Sequence, residues 1–224
     1  SVFASENENI GFIMNVMSGF VSALAISFLY WSIVLVLKKI VSIKINSQKI
    51  KFSISSAAFI GSLSFAFTDT FWFNAVEAEV YAMATLIMAI LFYLGLRWEA
   101  DMRNQRGNIW LLLISFVLGL SFGVHFMGLL TIPALVLIYY YKNRHKLLKI
   151  FKVNNFYGFI IANLIGVIIL MGIFKLLLPN TLRFFSSIEL LFVNSLGLPF
   201  NSGTAVALLL IVLFFIIALS YTHK

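Results

Sequence analysis

The most concentrated group of polar side chains in the sequence is the segment FTDTFWFNAVEAEVYAM, residues 67 to 83. It contains three carboxylates, Asp69, Glu77 and Glu79, and the amide of Asn74, at the junction between two apolar stretches. A carboxylate at or below a membrane surface is energetically costly, so its presence indicates a functional site. The alternative is that Glu77 and Glu79 are first-turn acids that interact favourably with the positive end of the following helix.

The spacing within this segment predicts which side chains share a helix face. If a helix begins near Phe73, Asn74, Glu77 and Tyr81 lie on one face at positions i, i+3 and i+7, while Glu79 points elsewhere. We therefore expect a polar face at the start of this helix.

His125 is the second candidate for a functional residue. It lies in the segment GLSFGVHFMGLL, which also contains Gly119, Gly123 and Gly128. A histidine within a membrane can be a packing residue, a proton relay or a contact for phosphate. The small residues around it allow helices to approach closely and need no functional explanation. The residue types leave these interpretations open.

Arg183 could bind a phosphate group through its bidentate fork, or it could extend along the membrane to lipid phosphate. Asp69, Glu77 and Glu79 do not have the spacing of a known metal site, so no metal is assigned. Nucleotide-binding loops and the common hydrolase motifs are absent from the sequence. The residues alone predict a polar site on one side of a membrane and name no reaction.

The composition identifies the class of protein that must position these groups. Of the 224 residues, 62% are hydrophobic and 11% are charged, and the mean hydropathy is +1.02. A soluble domain is roughly half apolar and about a quarter charged. The composition therefore predicts an integral membrane protein and excludes a water-soluble enzyme. The sequence contains no cysteine, which excludes disulfides and thiolate chemistry.

Seven apolar stretches are long enough to cross a membrane as helices, which takes about 17 to 25 residues. The stretch from 109 to 141 is divided near His125, because a single helix of that length would reach about 50 Å across a core of about 30 Å. An outer loop is predicted from about 179 to 203. The predicted spans are residues 12 to 37, 53 to 68, 80 to 96, 109 to 124, 126 to 141, 156 to 178 and 204 to 221.

The charges favour one orientation of these spans, since cytoplasmic loops are enriched in lysine and arginine. With Ser1 outside, 14 of the 16 basic residues lie inside and six of the eight acidic residues lie outside. The basic loops are then explained by topology and attraction to anionic lipid, rather than by nucleic-acid binding. We predict an all-α, polytopic protein in which residues 1 to 224 form a single transmembrane domain.

Three motifs in order resemble a bacterial membrane family, common in Bacteroidetes and formerly of unknown function, that is similar to the transmembrane protein O-mannosyltransferases of the GT-C class. They are NVMS at 15 to 18, the segment 67 to 83, and GLSFGVHFMGLLTIPA at 119 to 134. The resemblance covers roughly residues 12 to 141. It implies a GT-C-like core in the bacterial inner membrane, with Ser1 on the periplasmic side and Lys224 on the cytoplasmic side.

The resemblance also implies an inverting glycosyltransferase with an outward-facing site and a polyprenyl-phosphate sugar as donor. Mannose is the expected sugar, and a hydroxyl group, with exported protein as a candidate, is the expected acceptor. A carboxylate would take the proton of that hydroxyl, and cationic or hydrogen-bonding groups would hold the departing lipid phosphate. Glu77, Glu79 and His125 match the family's E-x-E-V-Y and G-x-H positions and are expected to be catalytic. The residues expected to bind substrate are Asp69, Asn74, Tyr81 and Arg183.

One departure from the family concerns the start of the chain. Family members begin with a further transmembrane helix and a first outer loop with WWDCGE-like and HPPG-like segments, which this sequence lacks. That loop usually carries the catalytic carboxylate, so the resemblance implies that the principal base lies outside this chain. We expect the chain to be part of a longer protein, or else a split or degenerate member of the family.

Two other classes of function stay open. The first is a non-catalytic assembly subunit of a membrane complex, which would use the same helices as a scaffold. The second is a transporter, which would place polar groups near the middle of the membrane. The acids of this sequence are instead predicted at an outer edge, which makes transport the least favoured of the three.

Overall fold

The computed structural model of the chain describes residues 7 to 41, 47 to 77, 80 to 104 and 106 to 222. Every regular element in these ranges is helical and none is a β-strand, which confirms the all-α prediction for them. The chain divides into two compact units, Ser1–Phe159 and Ile160–Lys224. The α-helices are α1 (Asn7–Val41), α2 (Gln48–Ala66), α3 (Asp69–Val76), α4 (Val80–Asp101), α5 (Arg106–Ser121), α6 (Ile132–Phe151), α7 (Asn155–Gly172), α8 (Leu178–Leu190) and α9 (Ser202–Thr222).

Several of these helices suit insertion into a membrane. Three stretches of the described chain are long and apolar enough to cross one: Ile10–Val41, Val80–Asp101 and Asn155–Ser195. Helices α2 and α3 form a fourth candidate as a pair bent by 68°. Helix α5 and the segment Ser202–Phe214 are apolar but shorter. The layout with seven spans stays a prediction.

Helix α4 packs against α1, and the two helices run in the same direction. Ala25, in the middle of α1, and Leu86, in the first half of α4, belong to one buried apolar cluster. Further along, the rings of Phe28 and Tyr93 meet edge to face with centroids 5.6 Å apart. At their carboxyl ends, Lys39 of α1 and Glu99 of α4 form an ion pair. Because the contacts advance along both helices together, the pair is parallel.

Helices α5 and α6 cover other faces of α4. Leu91 of α4 and Ile114 of α5 are buried in one cluster, and the Arg97 guanidinium lies 4.8 Å from the centre of the Trp110 ring at the start of α5. Helix α6 approaches Gly95 of α4 so closely that a Cβ atom there would lie 2.8 Å from Leu135 Cδ2. The absence of a side chain at this glycine permits the close approach.

The chain breaks near His125, as the sequence predicts. Helix α5 ends at Ser121, a turn follows, and a 3₁₀ helix, Phe126–Thr131, leads into α6. The prediction that the apolar stretch from 109 to 141 forms two helices meeting near His125 is confirmed.

The segment from 179 to 203 is largely helical, so the prediction of a loop there is wrong. A π-helical turn, Ile173–Leu177, leads from α7 into α8, and a second one, Leu191–Ser195, follows α8. Pro179 lies in the first turn of α8. The wide π turn directly before it lets the helical path continue past a residue that lacks an N–H and usually interrupts a helix.

Glu189 of α8 caps the start of α9 within the second unit. Its carboxylate accepts hydrogen bonds from the backbone N–H groups of Asn201 (2.6 Å) and Thr204 (2.7 Å) and from the Thr204 hydroxyl (2.9 Å). The first N–H groups of a helix lack partners within the helix, and an acid also interacts favourably with that end. Gly203 allows the approach, because a Cβ atom there would lie 2.6 Å from the Glu189 Cα.

The contact at Gly203 gives a first prediction. We expect Gly203→Ala to lower the free energy of unfolding by about 1 to 3 kcal/mol, because the new Cβ atom would push the backbones of α8 and α9 apart. Thermal unfolding of the purified protein in detergent measures the change. The matched control is Gly172→Ala in the same unit, where a Cβ atom meets nothing within 4 Å. That control should be neutral or slightly stabilising, and equal destabilisation by both variants would contradict the packing described.

Candidate functional site

The short helix α3 holds the start of the polar segment against the first unit. Phe71 is buried in the cluster that also contains Val21 of α1 and Ala82 of α4. Phe67 and Trp72 stack with ring centroids 5.6 Å apart, and both are exposed. Aromatic rings of this kind collect at membrane surfaces. The helix is thus fixed by one buried ring, while its other aromatic side chains face outward.

Glu77 does not share a helix face with Asn74 and Tyr81, so that prediction is wrong. Helix α3 ends at Val76, Glu77 has an extended backbone (φ −96°, ψ 141°), and α4 begins at Val80. The predicted face assumed an unbroken helix, and an extended residue interrupts the register between α3 and α4.

The position of Glu77 at the end of α3 bears on its role. An acid at the carboxyl end of a helix interacts unfavourably with the helix dipole, so stabilisation of α3 does not explain it. The side chain is half-buried, and it has no hydrogen-bond or ion-pair partner among the residues that the structure describes. The alternative of a first-turn acid does not hold for Glu77. Glu79 lies outside the described residues.

Tyr81 and His125 come together although 43 residues separate them in the sequence. Tyr81 lies in the first turn of α4, and His125 directly precedes the 3₁₀ helix after α5. Their rings are tilted by 49° with centroids 5.8 Å apart. The structure therefore joins the two segments that the sequence singled out, at the end of α4 opposite to Arg97.

A hydrogen bond assigns the tautomer of His125. The backbone N–H of Met127 donates to His125 Nδ1 over 3.2 Å. A nitrogen that accepts a hydrogen bond carries no proton, so the neutral ring carries its proton on Nε2. Among the described residues, no group accepts that proton. The Nε2–H group of the neutral ring is therefore available as a hydrogen-bond donor.

The turn that carries His125 is fixed by Gly128, which the sequence indicates as a point of close approach, and by Ser121 and Thr131, which the sequence did not single out. Ser121 is fully buried and donates a hydrogen bond of 2.6 Å to the Leu118 carbonyl. Gly128 packs on it so tightly that a Cβ atom would lie 2.7 Å from Ser121 Cβ. Thr131 donates to the Gly128 carbonyl over 2.7 Å. The contact between Ser121 and Gly128 has a signal in the sequence, because a serine and a glycine lie seven residues apart on either side of the predicted helix break.

The remaining predicted site residues lie at separate places. Asp69 is the first residue of α3 and is exposed, and Asn74 in the same helix is half-buried. Arg183 is exposed on α8 and belongs to the second unit. No three histidine, aspartate or glutamate side chains of the described chain are grouped as metal ligands. The residues that the structure brings into ring contact are Tyr81 and His125.

The tautomer of His125 can be measured directly. In ¹⁵N spectra of the histidine rings near neutral pH, we expect Nδ1 of His125 to be unprotonated and Nε2 to be protonated, because the Met127 N–H occupies Nδ1. His145, which is exposed on α6, is the control and should show the mixture of tautomers of a solvated ring. The spectrum of His125→Gln assigns the signals. A protonated Nδ1 on the neutral ring of His125 would contradict the hydrogen bond.

The first two thirds of the chain are similar to a known protein family. Residues 1 to 148 match the family model for the protein O-mannosyl-transferase TMEM260 N-terminal domain. No curated protein and no solved structure matches the chain. The matched region is about two thirds of the 224 residues and includes Glu77, Tyr81 and His125, whereas Arg183 lies beyond it. The chain therefore belongs to the family of the protein O-mannosyl-transferase TMEM260 N-terminal domain.

Proposed function

We propose that this chain is the membrane core of a glycosyltransferase of the GT-C class. It transfers a sugar, with mannose as the first candidate, from a polyprenyl-phosphate donor to a hydroxyl acceptor on exported protein. The family match supports transfer of a sugar by a relative of the protein O-mannosyltransferases. The donor, the acceptor, the seven spans and the orientation with Ser1 in the periplasm are parts of the proposal.

The contact between Tyr81 and His125 is the observation that carries this proposal. It joins the E-x-E-V-Y segment to the G-x-H segment at one end of the first unit. Both segments lie within the residues that match the family model. A tyrosine that is 41% exposed and a histidine with a free N–H form a polar surface at the end of an apolar helix. Such a surface suits the phosphate and sugar of a lipid whose tail lies in the membrane.

His125 acts in this mechanism as a hydrogen-bond donor. Its Nε2–H binds an oxygen of the lipid phosphate and stabilises the negative charge that grows there as the phosphate departs. Because Nδ1 already accepts the Met127 N–H and Nε2 already carries a proton, the neutral ring is not placed to remove a proton from the acceptor. This hydrogen bond supports a phosphate contact rather than a proton relay as the role of His125 in the proposed mechanism.

Glu77 is proposed to act as a base contributed by this chain, in addition to the principal base that the resemblance places in the first outer loop, outside residues 1 to 224. Its carboxylate takes the proton of the acceptor hydroxyl while the hydroxyl oxygen forms a bond to the anomeric carbon of the sugar. The bond from that carbon to the phosphate oxygen breaks on the opposite face, the configuration inverts, and the lipid phosphate leaves with the bonding electrons. Glu79, two residues on, is the second candidate for this step. Asp69, Asn74 and Arg183 are proposed to contact sugar or phosphate.

Transfer assays on the intact protein, purified from its native membrane, test these roles. With polyprenyl-phosphate mannose as donor, we expect Glu77→Gln to lower the rate by about 10² to 10⁴, the usual contribution of a general base. His125→Ala should lower it by about 10² to 10³, the usual contribution of a donor to a developing anion. Glu79→Gln is assayed in parallel. The matched control is His145→Ala, which changes an exposed histidine on α6 and should leave the rate unchanged.

The results of these assays distinguish a transferase from a non-catalytic subunit. Full activity of Glu77→Gln, Glu79→Gln and His125→Ala would remove these residues from the mechanism. An intact mass near 25.3 kDa, stable protein partners and no transfer would instead favour a non-catalytic subunit of a membrane complex. Mass spectrometry of the same purified sample gives the mass and the partners.

A further inference from the structure

The end of the first unit opposite to His125 carries an excess of positive charge. Lys38 and Lys39 form the last turn of α1, and Lys142 of α6 lies nearby. One carboxylate, that of Glu99, pairs with both Lys39 and Lys142, the latter over 2.9 Å. Two lysines thus share one carboxylate at this end of the three helices, and Lys38 adds a third positive charge. Lys38 has no hydrogen-bond or ion-pair partner in the described part of the chain.

The other carboxylate at this end does not balance the charge. Asp101 accepts a hydrogen bond of 2.8 Å from the indole N–H of Trp110. The face of the same indole ring lies against the Arg97 guanidinium. Asp101 and Arg97 are therefore joined through one tryptophan on the side of α4 that faces α5, and the lysines of α1 keep their excess positive charge.

A cavity of about 230 Å³ lies between the ends of α1 and α4, next to these lysines. It is lined by Leu35, Lys38, Lys39, Leu96 and Ala100. Two cationic side chains and three apolar ones thus surround one small space. Lysines in the last turn of a helix interact favourably with the helix dipole. This interaction explains why lysines occur at these positions, but it does not explain the cavity beside them.

We propose that this cavity binds the headgroup of an anionic phospholipid. The phosphate lies between Lys38 and Lys39, and the glycerol and first methylene groups contact Leu35, Leu96 and Ala100. Charge complementarity selects an anionic lipid, and the apolar lining selects an amphiphile over a free phosphate ion. Basic pockets between membrane helices on the cytoplasmic side are suited to such headgroups. This inference is independent of the proposed transferase activity.

A lipid titration tests the site on the full chain, purified and delipidated in a neutral detergent. We expect added dioleoyl-phosphatidylglycerol to raise the midpoint of thermal unfolding in a saturable way. Dioleoyl-phosphatidylcholine and inorganic phosphate should not raise it. In Lys38→Gln, the concentration of phosphatidylglycerol that gives half of the effect should rise roughly fivefold, as expected for the loss of one lysine next to an anionic lipid.

Two further variants separate this cavity from the general charge of the surface. Lys149→Gln removes an exposed lysine from the last turn of α6, at the same end but away from the cavity, and should leave the titration unchanged. Ala100→Leu fills the cavity without changing any charge and should abolish the effect. If Ala100→Leu fails to fold, the comparison of Lys38→Gln with Lys149→Gln decides the question.

Four results would overturn the proposal. These are an equal effect of phosphatidylcholine, an effect of inorganic phosphate alone, equal weakening by Lys38→Gln and Lys149→Gln, or no response to phosphatidylglycerol.

Discussion

The pairing of Glu99 with Lys39 and Lys142 is the interaction on which the arrangement of the first unit depends. In a membrane, lipid tails are as apolar as leucine side chains, so burial of apolar surface does little to fix one helix against another. A carboxylate shared by lysines from two other helices does fix them, because any shift along the helix axes separates the charges. Glu99 therefore joins α4 to α1 and α6 at one end of the first unit, together with the apolar cluster between α1 and α4 and the close contact of α6 at Gly95. Its own side chain is 16% exposed, and without partners its charge would be costly to bury.

The ring contact at the opposite end of α4 depends on the same alignment. Since α4 is fixed at its carboxyl end, Tyr81 in its first turn has a defined place against the turn after α5, where His125 lies. Ser121 and Gly128 hold that turn by a contact with no room for a side chain. The ring contact between Tyr81 and His125 thus results from packing over the whole length of α4, in addition to the two local motifs.

The sequence correctly predicts the all-α class and the break at His125, because both follow from the length of apolar stretches against the thickness of a membrane. It does not predict that α3 ends directly before Glu77 and that a separate helix, α4, begins after it. An eight-residue helix rich in aromatic residues has the same composition as the first turns of a membrane span. The burial of Phe71, which holds α3 in place, comes from contacts with residues that are distant in the sequence. The prediction of a loop from 179 to 203 is wrong for a related reason. The helices in this region pack closely enough for Glu189 of α8 to cap α9, and Gly203 alone does not reveal that close packing.

The two ends of α4 are separated by the length of its 22 residues, about 33 Å at 1.5 Å per residue. This is close to the thickness of the hydrocarbon core of a membrane, so the two ends suit opposite membrane surfaces. A lipid held at the lysine-rich end would lie in a different leaflet from a lipid-linked sugar held near His125. The excess of lysine at one end would then attract anionic lipid without competing for the phosphate of the donor. At the other end, the proposed hydrogen bond from Nε2 of the neutral form of His125 would hold the departing phosphate without adding a full positive charge, so that the phosphate could still be released.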